Sequence, residues 1–200
     1  MSSPVVINGR AAVRREVGGV ERVAREMAAL LPRLDPQRYR VAAPPRRLAH
    51  RAGHLWEQFV LPSLPGEIVY CPAMLGPVRR AKHNVMCIYD AASVRHPEWY
   101  TDGYARYQAR VLPRLAQRAR LVITASRFAR TELVEVLGAD PARTHVIPLG
   151  VTERFNPDAD PAPARAAFGL ERPYVLTVGS MIARKNFDAL AQAADALRAK

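Results

Sequence analysis

The chain has 200 residues, 49% of them hydrophobic and 24% charged, which excludes a disordered, collagen-like or disulfide-rich protein. No apolar stretch approaches the roughly 18 residues that a membrane-spanning helix needs, and arginines stand early in the chain where a secretory signal peptide is apolar. The formal net charge of +12 raises the question of an anionic partner, which the distribution of charge has to decide.

Six short apolar runs, mostly non-alternating and rich in valine and isoleucine, predict β-strands that are covered on both faces. They are residues 4–8, 39–43, 67–71, 85–90, 121–125 and 145–149. Stretches with a helical period lie between several of these runs. The alternation predicts an α/β fold built on a parallel sheet.

Three of the predicted helices have recognisable apolar faces or ends. The first follows Gly18-Gly19, and the second, over 104–119, is interrupted by Pro113, which should kink it. The third is predicted between Ser126, a typical N-cap, and Gly138, a typical residue just past a helix end. The apolar stripe of the first helix consists of Val23, Met27, Leu30, Leu31 and Leu34.

The composition changes after Gly150, where four prolines and several acidic residues indicate an interdomain linker. We therefore expect an N-terminal domain over 1–152, a linker over 153–173 and the start of a second α/β domain over 174–200. In that last part, 174–180 predicts a buried strand and the residues from Phe187 onward predict a helix. One strand and one helix cannot bury their own apolar faces, so we expect the second domain to be truncated.

Three positions are candidates for binding chemistry. Gly18 and Gly19 lie between the first strand and the first helix, where backbone N–H groups can approach an anion, although their spacing fits neither common phosphate-binding pattern. Asp90 ends a strand and could accept hydrogen bonds from hydroxyl groups, or only cap its loop. Arg184-Lys185 precede a helix and could hold phosphate oxygens, or form an exposed basic turn.

Other site types are poorly supported. His50 and His54 have i, i+4 spacing, but Gly53 and the neighbouring arginines disfavour a helix and no third ligand is near, so no metal site is predicted. No nucleophile elbow is present. The basic N-terminal quarter lacks interleaved aromatic residues, so nucleic acid is not expected as a partner.

Six segments, in the same order along the chain, resemble the retaining glycosyltransferases of family 4, which use nucleotide sugars and have the GT-B fold. They are GGVERVAREMAALLPRLD, HLWEQFVLP with VYCPAMLGP, YDAASVRHPEWY, LPRLAQRARLVITASRFARTELVEVLG, HVIPLGVTERFNP and YVLTVGSMIARKNFDALAQA. The resemblance implies two Rossmann-like domains. The N-terminal one would mainly bind the acceptor and the C-terminal one the nucleotide sugar.

The resemblance also implies roles for particular residues. It assigns the donor diphosphate to Gly18, Gly19, Arg184 and Lys185. It assigns the sugar or acceptor pocket to Tyr89 and Asp90. The cations would stabilise the leaving diphosphate, so no metal and no cofactor is expected. The paired glutamates that hold the donor sugar and ribose in the family would lie beyond Lys200.

The sequence departs from the family at two positions. Tyr89 stands where many members have histidine, so a contact made by imidazole would be made by a phenol or lost. Leu149 stands where asparagine often precedes the glycine corresponding to Gly150.

The expected function is transfer of a hexose, with mannose as the candidate sugar, from a nucleoside diphosphate sugar to a saccharide or lipid-linked acceptor, with retention. These 200 residues by themselves are expected to be inactive. The alternative is a non-catalytic, Rossmann-like ligand-binding module. Two cysteines in apolar stretches indicate reduced thiols and hence the cytoplasm.

The location of the positive charge leaves two explanations open. Residues 1–51 contain 11 arginines and 4 acidic residues, more than half of the net charge. Coding bias explains an arginine-rich chain in general. A peripheral contact with an anionic membrane at the inner face would explain the local excess, because Arg22, Arg25 and Arg33 flank the apolar stripe of the first helix.

Overall fold

The computed structural model describes residues 4–15, 18–79, 83–153, 155–179, 182 and 185–198, without the side chains of residues 51 and 198. The chain divides into two compact units, Met1–Leu149 and Gly150–Lys200.

The first unit is built on a six-stranded parallel sheet. Its strands are β1 (Val5–Asn8), β2 (Tyr39–Ala42), β3 (Ile68–Cys71), β4 (Asn84–Cys87), β5 (Leu121–Thr124) and β6 (Thr144–Val146). Their order across the sheet is β2-β1-β3-β4-β5-β6. Every neighbouring pair is parallel; Val6, for example, lies opposite Arg40 of β2 and Val69 of β3. The predicted α/β, Rossmann-like fold is therefore confirmed.

Helices and short turns connect the strands. They are α1 (Gly19–Leu34), α2 (Arg46–Arg51), α3 (Gly53–Leu55), α4 (Ala92–Arg95), α5 (Asp102–Arg118) and α6 (Arg127–Leu137). A π-helical turn, Trp56–Val60, and a 3₁₀ turn, Leu61–Ser63, continue from α3. None of the described helices is both long and apolar enough to cross a membrane.

Helix α6 confirms both of its predicted ends. The Ser126 Oγ accepts a hydrogen bond from the Ala129 N–H at 3.1 Å, which satisfies one of the N–H groups that the first turn leaves without an intrahelical partner. At the other end Gly138 has φ +67°, a left-handed conformation that glycine adopts without steric cost. Leu133 and Leu137 on the same helix are fully buried.

The core lies around the central strands and helices α5 and α6. Its largest fully buried side chains include Met86, Ile88, Leu112, Leu115 and Leu133. The strands at the centre of the sheet are thus covered on both faces, as their apolar runs predict.

Burial is lower than the apolar patterns suggest in strand β2 and in helix α1. Strand β2 stands at the edge of the sheet, and none of its four residues is fully buried, because it has a neighbour on one side only. Helix α1 fully buries only Ala24, while Leu34 at the end of its apolar stripe is 78% exposed. The stripe therefore covers the sheet edge only in part.

The second unit contains helices α7 (Ala162–Phe168) and α8 (Phe187–Arg198). The predicted buried strand at 174–180 is wrong for the described residues 174–179, which are exposed and form no strand. A helix closes its own backbone hydrogen bonds, whereas a strand needs a neighbouring strand, and none of the described residues supplies one here.

We expect Ser126→Ala to lower the free energy of unfolding of the first unit by about 1 kcal/mol, because the cap bond to Ala129 is lost. Urea denaturation followed by circular dichroism measures the change. Thr101→Ala is the matched control, since Thr101 occupies the same position before α5 but makes no side-chain cap bond. An equal loss in both variants would contradict the assignment.

Candidate functional site

The strand order places a topological switch point at the centre of the sheet. From β1 the chain moves to β2 on one side and then to β3 on the other. In open parallel sheets, ligands bind at the carboxyl ends of the strands on either side of such a point. The candidate site is therefore the carboxyl edge of β1, β3 and β4 and the loops that follow them.

A buried carboxylate, Glu57, lies at this edge. The Asn8 Nδ2, at the end of β1, donates to Glu57 Oε1 at 2.7 Å, and Arg10 Nε lies 3.0 Å from Glu57 Oε2. All three residues are buried. The same Asn8 amide lies 3.4 Å from the Leu75 carbonyl oxygen, in the loop after β3. Glu57 thus ties the turn after α3 to the loop on which the candidate site depends.

Two residues extend this cluster toward solvent. His54 Nδ1 lies 3.5 Å from Glu57 Oε2, and the Tyr107 hydroxyl, from α5, lies 3.3 Å from the same nitrogen. Gly53 permits the arrangement, because a Cβ there would stand 2.8 Å from Arg10 Cδ. Half of the His54 side chain is exposed, so the cluster runs from the core to the surface.

The charge of Glu57 is stabilised by its partners. Burial by itself would raise the pKa of this carboxyl, but the contacts with His54, Arg10 and Asn8 outweigh burial and hold the pKa below its ordinary value of 4.5. The cluster is therefore a buried ion pair between Arg10 and Glu57 in which Asn8 donates a hydrogen bond to the other carboxylate oxygen, and this pairing makes the buried charge tolerable.

Gly18 and Gly19 lie at the N-terminus of α1, as predicted. Both are exposed, and the Gly18 N–H donates to Glu21 Oε2 at 3.1 Å. The other oxygen of Glu21 accepts from Arg14 Nη1 at 3.0 Å. The first N–H of this turn is thus occupied by the chain's own carboxylate, whose charge is balanced by Arg14.

Tyr89 and Asp90 follow β4, at the same edge. The Tyr89 hydroxyl donates to the Pro72 carbonyl oxygen at 2.8 Å, and burial together with the neighbouring Cys87 thiol raises its pKa. Asp90 Oδ1 accepts from the Ala92 N–H at 3.0 Å and so caps α4. Capping, the alternative explanation of Asp90, is therefore real, but it uses only one carboxylate oxygen.

Tyr104 links the two halves of this edge. Burial raises the pKa of its hydroxyl, and electrostatic interactions with Tyr100, Asp90, Arg14 and Glu21 also act on it. Charged groups of the β1–α1 loop, of α1 and of the loop after β4 therefore act on one hydroxyl in the first turn of α5. The structure brings Asp90 into electrostatic range of the same hydroxyl as the pair that caps α1.

The remaining predicted positions belong to the second unit. Lys185 is exposed, and its N–H donates to the Ile182 carbonyl oxygen at 2.9 Å, two residues before α8 begins. Arg184 lies outside the described residues. The predicted placement of a cation just before a helix thus holds for Lys185.

Sequence reasoning missed the buried cluster. Asn8, a polar residue at the end of an otherwise apolar strand, was the available signal, together with Glu57 inside the HLWEQ segment. Reasoning from the sequence also considered His50 and His54 only as metal ligands and judged a helix there improbable. The structure has two short helices, α2 and α3, with a break at Ala52.

We expect Glu57→Gln to lower the free energy of unfolding at pH 7 by about 3–5 kcal/mol, because Arg10 is left as a buried charge without its partner. The depressed pKa means that the carboxylate contributes stability above pH 4.5 and loses it as the pH falls through the lower value in the folded state. The difference between the two proteins should therefore narrow in acid. Urea denaturation at several pH values tests this.

Glu67→Gln is the control for that series. Glu67 is exposed, and its replacement should change the free energy of unfolding by less than about 0.5 kcal/mol. A constant difference between the original protein and Glu57→Gln at every pH would contradict the proposed ion pair.

Comparison with known proteins bears on this edge of the sheet directly. Residues 69–155 match the model of the family described as Glycosyltransferase Family 4, a stretch that includes Tyr89 and Asp90. A GDP-mannose-dependent alpha-(1-6)-phosphatidylinositol monomannoside mannosyltransferase from Mycolicibacterium smegmatis is 31% identical over 128 residues, which cover 63% of this chain and 32% of the relative. The alignment thus spans about a third of that relative's length. The matched residues are thus similar to glycosyltransferases of family 4.

Proposed function

We propose that this chain forms the acceptor-side part of a hexosyltransferase that moves a sugar from a nucleoside diphosphate sugar to a saccharide or lipid-linked acceptor, with retention at the anomeric carbon. The observation that carries the proposal is the position of Asp90 after β4, at the carboxyl edge of the sheet and within residues 69–155 that match the family model. Mannose is the sugar proposed, because the mycobacterial relative is named for it.

Asp90 is proposed to accept a hydrogen bond from a sugar or acceptor hydroxyl. Its Oδ1 is held by the Ala92 N–H, which fixes the orientation of the carboxylate. Its Oδ2 has no hydrogen-bond donor among the described residues and can face a hydroxyl group. Tyr89 is held through its hydroxyl by Pro72, so it is proposed to shape the pocket rather than to replace a histidine contact.

The donor diphosphate is proposed to contact two separate groups of residues. Backbone N–H groups that follow Gly18 at the start of α1 would donate hydrogen bonds to the diphosphate. The Gly18 N–H itself already donates to Glu21. Lys185 and Arg184 are proposed to neutralise the diphosphate as it leaves. With cations supplied by the chain, neither a metal ion nor a cofactor is part of the proposal.

In the proposed reaction, the acceptor oxygen forms a bond to the anomeric carbon as the bond from that carbon to the diphosphate breaks on the same face of the sugar, and the hydroxyl proton passes to the departing diphosphate oxygen. The chain's own contribution to this step is position and charge. Asp90 would orient the hydroxyl, and the cation at Lys185 would stabilise the negative charge that develops on the diphosphate. A binding module without turnover would still orient the hydroxyl but would not stabilise the charge that develops on the diphosphate.

We expect Asp90→Asn to lower kcat/KM about 10- to 100-fold, the effect of weakening a hydrogen bond to a charged acceptor. Lys185→Ala should also lower kcat/KM, by an amount that corresponds to a loss of about 2–4 kcal/mol of transition-state stabilisation. The assay uses the protein at the length that its gene encodes, with labelled GDP-mannose and a lipid extract or soluble saccharides as acceptors. The anomeric configuration of the product is read by NMR.

Two exposed residues serve as controls. Asp158→Asn and Arg172→Ala should each change kcat/KM by less than about twofold, because an exposed charge contributes little. Equal effects in the site and control variants would leave Asp90 as a helix cap and Lys185 as a basic turn. No transfer from any nucleoside diphosphate sugar would favour the ligand-binding module.

A peripheral contact with an anionic membrane at the cytoplasmic face is proposed through the end of α1. Leu30 and Leu34 are 45% and 78% exposed, and Arg33 stands beside them in the last turn. Arg25 takes no part, since its guanidinium donates to the carbonyl oxygens of Ala12 and Arg14. The proposed membrane contact therefore involves only the end of α1 and not the whole apolar stripe of that helix.

We expect the double variant Leu30→Ser/Leu34→Ser to lose most of its binding to phosphatidylglycerol-containing vesicles in co-sedimentation, because its exposed apolar surface is removed. The original protein should bind less at high salt and less to neutral vesicles. Phe128→Ser is the control, since Phe128 is equally exposed but lies on α6. If binding does not depend on lipid charge, the membrane contact is contradicted and coding bias explains the excess of arginine.

A further inference from the structure

A basic cavity lies beside the carboxyl ends of β1 and β2. Its volume is about 560 Å³, within the range of sites that bind small molecules. Its lining residues are Arg15, from the loop after β1, and Arg46, Arg47 and His50, from α2. Sequence reasoning did not bring these four residues together, because they come from two segments separated by the whole of α1 and β2.

The positive charge of this cavity is not compensated by the described part of the chain. Arg10 pairs with Glu57 and Arg14 pairs with Glu21, but none of the three lining arginines pairs with a carboxylate among the described residues. Among the described residues, no acidic side chain lines the cavity. Like charges held close together repel one another, so an anion bound between them would relieve the repulsion.

The chain holds the two sides of the cavity in place through its backbone. The Arg15 N–H lies 3.4 Å from His50 Nε2, which joins the β1–α1 loop to α2. Arg25 donates to the Ala12 carbonyl oxygen at 3.0 Å and to that of Arg14, which fixes the same loop on α1. The lining arginines therefore project from anchored backbone, which reduces the entropy that a ligand has to overcome.

We propose that this cavity binds a phosphate group of the acceptor, an inference that rests on the proposed function. Guanidinium groups present paired N–H donors that match two phosphate oxygens, and an isolated carboxylate or sugar would not need three of them. The described lining residues include no aromatic side chain except the His50 imidazole, so they offer nucleic acid little base stacking.

The position of the cavity favours the acceptor over the donor. β1 and β2 lie two and three strands away from β4, which precedes Asp90. At about 4.8 Å between strands, the phosphate would sit about 10–14 Å from the hydroxyl that Asp90 contacts. A phosphate at that distance takes no part in the bond change. Its binding energy would hold the acceptor in register with the reacting centre.

The test measures phosphate binding by the 200-residue chain with two probes. The first is glycerol 3-phosphate, compared with glycerol, by isothermal titration calorimetry. The second is phosphatidylcholine vesicles with and without phosphatidylglycerol, by co-sedimentation of the Leu30→Ser/Leu34→Ser protein, in which the proposed contact at the end of α1 is removed. Binding of the soluble probe identifies a free phosphate as sufficient, whereas binding of the vesicles alone identifies a lipid headgroup as the source.

We expect Arg46→Gln/Arg47→Gln to weaken this binding at least about tenfold, and Arg15→Gln, from the other side of the cavity, to weaken it as well. Arg118→Gln/Arg120→Gln is the matched control. This control removes the same charge from two exposed arginines at the amino end of β5, away from the carboxyl ends of the strands. It should change binding by less than about twofold. Thermal unfolding checks that each variant folds.

An equal loss in both double variants, or no saturable binding of either probe, would overturn the proposal. This result is separable from failure of the proposed function, because phosphate binding needs no turnover. In the transfer assay, Arg46→Gln/Arg47→Gln should lose transfer to phosphorylated acceptors and keep transfer to phosphate-free saccharides. Equal loss with both acceptors would contradict an acceptor site in the cavity.

Discussion

The carboxyl edge of the sheet depends on one buried carboxylate. Glu57 receives Asn8 on one oxygen and faces Arg10 on the other, so the end of β1 and the first residues of its loop are tied to the turn after α3. Without that carboxylate, Arg10 would carry a buried charge with no partner, and Asn8 would lose the acceptor that orients its amide. The contacts of Asn8 and Arg10 with Glu57 therefore anchor the start of the β1–α1 loop.

Arginine has two distinct uses in the first quarter of the chain. Arg10, Arg14 and Arg25 satisfy carboxylates or carbonyl oxygens of the protein itself and hold the β1–α1 loop in place. Arg15, Arg46 and Arg47 line a common cavity and have no such internal partner among the described residues. Six of the eleven arginines in this quarter therefore have a defined structural setting.

Two acidic residues at the candidate site make local hydrogen bonds where helices begin. Asp90 uses one carboxylate oxygen to hold the start of α4, so this structural contact and its proposed role in binding do not exclude each other. Glu21 likewise caps α1 through Gly18 while it balances Arg14. In both places a local hydrogen bond fixes a charged group at the edge where ligands bind in parallel sheets.

The sequence by itself determined the features that depend on neighbours along the chain. Ser126 and Gly138 set the ends of α6 through a side-chain cap and a left-handed backbone, and the apolar runs set the six strands. Asp90 and the two glycines were recognisable because each follows a strand, and strand ends in a parallel sheet share one edge.

Tertiary structure decided which distant residues meet. Glu57, Arg10 and Tyr107 belong to three segments with no common pattern, and only the packing of α5 and the α3 turn on the sheet brings them together. The basic cavity was hidden for the same reason. Residues 174–179 show the converse, because an apolar run forms a strand only when another strand accepts its hydrogen bonds. A strand is therefore a property of the pair, whereas a capped helix is written in its own segment.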